Sequence, residues 1–126
     1  MELEKFYLPA AFAWSAALFV GSVLPSANAF GMAAKAFNYR GIGLHLFGYA
    51  VLGLLLILAL KRHRIKNYYV SSILIAVLYG ILLELIQYFV PARTPSAIDA
   101  AANTIGAFIT AAVYDFKHGI KRIFKK

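Results

Sequence analysis

The chain has 126 residues, enough for one domain at most, and 62% of them are hydrophobic while only 14% are charged. A soluble fold this small could not hide so much apolar surface, and a disordered chain would be poor in aromatics and rich in charge. The cysteine count of zero removes disulfide scaffolds, thiolate metal sites and cysteine nucleophiles, so the chain is read as a lipid-embedded protein with a net charge of +8.

The first apolar block, Phe6–Leu24, predicts a membrane helix. Ala27-Asn28-Ala29 behind it has the small-x-small form of a signal-peptidase site. Against cleavage, the leader Met1-Glu2-Leu3-Glu4-Lys5 is not basic and the run exceeds a usual signal core, so the helix is expected to be retained. Pro25–Ile42 is the only long connection. The second block, Gly43–Leu60, opens on His45 and Tyr49 and closes on the basic run Lys61-Arg62-His63-Arg64. The third, Tyr68–Val90, carries Glu84 and Gln87 near its end. A tight turn, Pro91–Pro95, holds Arg93 and leads to the fourth block, Ser96–Phe116. Blocks of this length, wound as helices, reach roughly 27–34 Å, the thickness of a hydrocarbon core. Lipid offers no partner to unpaired backbone, and the polar/apolar alternation of a membrane strand is missing. There is no internal repeat. The expected fold is an all-α membrane protein: one antiparallel bundle of four transmembrane helices with both termini on the same side.

The basic residues orient that bundle. Lys5, Lys61, Arg62, Arg64, Lys66, Lys117, Lys121, Arg122, Lys125 and Lys126 fall on one side; Lys35, Arg40 and Arg93 fall on the other. The positive-inside rule then puts both termini in the cytoplasm and the protein in the cell membrane. Attraction to anionic headgroups accounts for the basic tail. Without interleaved aromatics it gives no support to nucleic-acid binding. Tyr7, Tyr68 and Tyr69 read as interfacial anchors.

The polar residues inside the spans form a set. An ionisable group in a membrane helix costs about 2.5–3.5 kcal/mol on insertion scales and faces a partner or a cavity. His45, Tyr49, Glu84, Gln87, Arg93, Ser96, Asp99 and Asn103 all fall toward the outer end. Ser96, Asp99, Asn103, Gly106 and Thr110 share one helical face, with Gly106 allowing close approach. The short turn makes the third and fourth helices antiparallel neighbours, which sets Glu84, Gln87 and Arg93 opposite Asp99 and Asn103.

Glu84-x-x-Gln87, Pro91-Ala92-Arg93, Ser96, Asp99, Asn103 and Gly106, in this order, together with Ser22-x-x-Pro25 and His45-x-x-x-Tyr49, resemble the VanZ-like family of integral membrane proteins. Two positions depart from the family pattern. Ala92 stands where Gly is common, and Gly41-Ile42 stand where the family often has an Asp-Lys pair, whose role would be lost or moved to Lys35 or Arg40. The resemblance implies a multi-pass membrane protein; the founding member is associated with low-level teicoplanin resistance, and the mechanism is open.

Two readings of the cluster follow. In one, Glu84, Arg93 and Asp99 are an ion-pair network that pins the third and fourth helices. In the other they form a site at the outer leaflet. Glu84, Asp99 and His45 are then the candidate catalytic groups, and Arg93, Gln87, Asn103, Tyr49 and Ser96 the candidate ligand-binding groups. Ser96, just after Pro95 and three residues before Asp99, also suits an N-cap. No His-x-x-x-His or Glu-x-x-His pair recommends a metal, and no cofactor is expected. The function expected is binding or modification of a lipid-linked or glycopeptide-related envelope ligand. The alternatives are a non-enzymatic scaffold and a small transporter acting as an oligomer. The expected partners are membrane lipids, a lipid-linked or anionic envelope ligand and, for transport, further copies of the chain.

Overall fold

The computed structural model describes residues 2–24, 41–91 and 93–123, with side chains described over 3–24, 41–91 and 93–116. The connection expected over 25–40, with Ala27-Asn28-Ala29, Lys35 and Arg40, lies outside the described residues, as do Ala92, Lys125 and Lys126. A 3-10 turn, Glu2–Phe6, leads into α1, Tyr7–Val23; α2 spans Ile42–Arg62, α3 Tyr68–Gln87 and α4 Ala97–Ile123. Among the described residues there is no strand, and four helices are long and apolar enough to cross a membrane.

The helix ends have local causes. Pro9 sits in the first turn of α1, where its missing N–H breaks no helical bond. α2 stops in a Schellman arrangement: Ile65 N–H donates to Leu60 O and Arg64 N–H to Lys61 O, both at 3.0 Å. Arg64 takes the left-handed position usual for glycine, at φ 57°. α3 ends at Gln87, short of the expected Val90, because Pro91 steers the residue before it away from helical geometry. The chain then tightens through three-residue bonds, Phe89 N–H to Ile86 O and Val90 N–H to Gln87 O. α4 runs beyond Phe116 to Ile123, since Lys117–Ile123 holds no proline, its single Gly119 weakens a helix by only about 1 kcal/mol, and basic residues suit a helix C-terminus.

The helices alternate up and down. Glu4 meets Arg62 at 3.4 Å and Trp14 Nε1 donates to Gly48 O at 2.8 Å, so α1 and α2 are antiparallel. Tyr69 Oη reaches Asp115 Oδ1 at one end of the α3–α4 pair and Glu84 reaches Ser96 at the other, so these are antiparallel too. The most extensive packing joins α2 to α4, which run parallel. The polar face of α4 therefore meets α2 first, and α3 second. Gly106 is the reason: a Cβ there would collide with the carbonyl oxygen of Leu46. Thr110 Oγ1 donates to Ala50 O at 2.7 Å beside it. Close backbone approach and such bonds, worth on average about 0.6 kcal/mol each, hold helices in lipid, where apolar burial drives nothing.

The core gathers Ala11, Tyr49, Leu52, Leu56, Ala76 and Ala107. Phe12, Phe19, Val70, Leu78, Phe108, Val113 and Phe116 point outward, as expected of a bundle solvated by hydrocarbon.

Candidate functional site

At one end of the bundle the four helices enclose a cavity of about 350 Å³. It lies opposite the end where Lys61 and Arg62 pair with Tyr114 and Glu4. Each helix contributes side chains to it. α1 supplies Trp14, Leu18 and Ser22; α2 supplies Leu44, His45, Phe47 and Tyr49; α3 supplies Leu83, Glu84 and Gln87; Arg93 and the start of α4, with Asp99 and Asn103, complete the wall. Of the eight candidate residues, all but Ser96 line this cavity, and Ser96 contacts it through Glu84.

The partnerships differ from an ion-pair network. Arg93 makes no ion pair with Glu84 or Asp99 among the described residues. Its guanidinium reaches α1, Nε donating to Leu24 O at 2.9 Å and Nη2 to Gly21 O at 2.6 Å. These are carbonyls at the C-terminus of α1, which lack helical partners and carry partial negative charge. Gln87 acts alongside, its Nε2 donating to Ser22 Oγ at 3.1 Å. Both residues therefore tie α1 to the hairpin of α3 and α4.

Ser96 is the N-cap of α4: its Oγ accepts the Asp99 N–H at 3.4 Å and its carbonyl accepts the Ala100 N–H at 3.0 Å. The Ser96 N–H donates in turn to Glu84 Oε2 at 3.0 Å. Serving the cap leaves the Asp99 carboxylate free to turn to α2, where Oδ2 lies 3.8 Å from His45 Nε2. The other ring nitrogen, Nδ1, lies 2.9 Å from Asn103 Oδ1. His45 is thus fixed between two α4 oxygens, and an imidazole so held beside a carboxylate has the parts of an acid–base pair.

Tyr49 stands apart. It is 2% exposed, four residues deeper than His45, and its hydroxyl has no hydrogen-bond partner among the described residues. Gly80 gives its ring room.

Two features escaped the sequence reading. Trp14 forms part of the wall, although one aromatic in an apolar helix looks like any lipid-facing residue; its rank as the sole tryptophan was the only signal. The α1 carbonyls that hold Arg93 have no side-chain signature at all. Gly41, one of the two positions that depart from the expected pattern, precedes α2 with φ 77°, a conformation glycine adopts without strain. Among the described residues no group of three His, Asp or Glu side chains could hold a metal.

No curated protein and no solved structure matches the chain. A family comparison does: the VanZ/LLP1 family matches over residues 9–118, which takes in the second and third helices, most of the first and fourth, and every residue of the cavity wall. The four apolar spans, the hairpin joined by Glu84 and Ser96, and this match together place the chain in the VanZ/LLP1 family of membrane proteins.

Proposed function

We propose that this protein binds or modifies a lipid-linked or glycopeptide-related ligand of the cell envelope in the cavity at the outer leaflet of the cell membrane, with both termini cytoplasmic. One observation carries the reading: Tyr49, on the wall of a largely apolar cavity within the span, has a buried hydroxyl with no hydrogen-bond partner among the described residues. Leaving such a group unsatisfied costs about 1–3 kcal/mol, which a ligand atom in the cavity would recover. A purely structural cluster gains nothing from that hydroxyl. The orientation rests on the basic residues at the opposite end.

In this reading Tyr49, Glu84, Asp99 and Asn103 contact the ligand, and Asp99 with His45 also supplies acid–base chemistry if a bond is made or broken. Ser96, Gln87 and Arg93 shape the wall. The scaffold reading draws on the last two, whose bonds to α1 are structural. The test is native mass spectrometry of protein purified from membranes, with teicoplanin sensitivity of the expressing cells as a second readout. A lipid adduct is expected on the natural chain and is lost from Tyr49→Phe and Asp99→Asn at equal membrane levels. Equal adducts on all three, with unchanged sensitivity, would favour the scaffold.

A further inference from the structure

The charged groups around the cavity are unequally available. Among the described residues its one permanent cation is Arg93, which directs Nε and Nη2 away to two α1 carbonyls at a helix end that is itself partly negative. Its two carboxylates are less occupied. Glu84 gives Oε2 to Ser96 N–H, with no hydrogen bond to Oε1 among the described residues, and Asp99 has the His45 ring at 3.8 Å. Tyr49, on the same wall, has a buried hydroxyl with no hydrogen-bond partner among the described residues, a further acceptor for a group that reaches it. Among the described residues the cavity wall sets two carboxylates against one guanidinium, although the chain as a whole is +8.

Resting on the ligand-site reading above, we infer that the cavity recognises a primary ammonium head on an amphiphile, rather than a phosphate. An ammonium has three donors and no acceptor, and Glu84, Asp99 and Tyr49 present three acceptors to it. Trp14 in the wall adds an aromatic face of the kind that favours cations. Phe47 both lines the cavity and is exposed on the lipid-facing surface, so the apolar tail leaves beside it.

The test compares three probes with the same chain and different heads, namely dodecylammonium, dodecyl glucoside and dodecyl phosphate. Each is titrated onto the full chain in neutral detergent and followed by native mass spectrometry. Dodecylammonium is expected to bind about tenfold more tightly than dodecyl phosphate despite the +8 charge. Glu84→Gln and Asp99→Asn each remove most of that preference. Glu84→Gln keeps an acceptor for Ser96, and monodisperse elution checks the folding of both; if one variant fails, the other carries the test. A preference for phosphate, or a preference for ammonium that neither variant changes, would overturn the inference. If glucoside or phosphate binds most tightly and Tyr49→Phe weakens it, the ligand site stands and the ammonium inference falls. If no probe responds to Tyr49→Phe, Glu84→Gln or Asp99→Asn, both readings fall.

Discussion

Glu84, near the end of α3, accepts the backbone N–H of Ser96, the N-cap of α4, at 3.0 Å. In a capping box that acceptor is the side chain three residues into the same helix. Here the residue at that position is Asp99, and its carboxylate faces His45 instead. The neighbouring helix has taken over half of the cap, which releases an acid from structural work at the edge of the cavity.

Glu84→Gln and Glu84→Ala therefore separate two roles. Gln retains an oxygen for Ser96, whereas Ala strands the N–H at a cost of about 1–3 kcal/mol. The thermal midpoint in detergent is expected to fall clearly for Ala and little for Gln. Equal losses would mean that the negative charge, not the hydrogen bond, stabilises the hairpin.

Arg93→Lys tests the clamp on α1. Lysine keeps the charge but lacks the planar fork that reaches Gly21 O and Leu24 O together. Limited proteolysis should cut near the end of α1 sooner in the variant, by about tenfold if one charged hydrogen bond is lost. Proteolysis at the natural rate would show that charge alone suffices.

The spans were legible because lipid thickness and backbone satisfaction leave few alternatives for apolar runs of this length. The polar stripe Ser96, Asp99, Asn103, Gly106 and Thr110 was legible from spacing alone. Its partner was not. Chain proximity pointed to α3, but Gly106 lets the backbone of α2 come closest, and no local pattern records a contact between residues 46 and 106. Arg93 misled for a related reason. A charge among acids suggests ion pairs, while its real acceptors are main-chain carbonyls, identical in every residue.

Gly106→Ala is the sharpest packing test. The added methyl meets the Leu46 carbonyl, which belongs to a helix backbone and cannot swing aside as a side chain would. Ala101→Leu, on the exposed side of α4, adds a larger group into lipid. Folded yield by size-exclusion chromatography should collapse for Gly106→Ala and hold for Ala101→Leu. A natural yield from Gly106→Ala would contradict the tight α2–α4 contact.

Orientation can be read directly because the chain has no cysteine to remove. Thr94 is exposed in the turn at the cavity end, and His63 is exposed at the basic end. Single-cysteine variants Thr94→Cys and His63→Cys, expressed in intact cells, are treated with a membrane-impermeant maleimide. With the basic end inside, as the positive-inside rule requires, Thr94→Cys is labelled at once and His63→Cys only after the membrane is opened. The reverse pattern would turn the cavity toward the cytoplasm. The Tyr49 hydroxyl and the two acids would still mark a site, but its ligand would have to come from the inner leaflet, and the envelope reading would be lost.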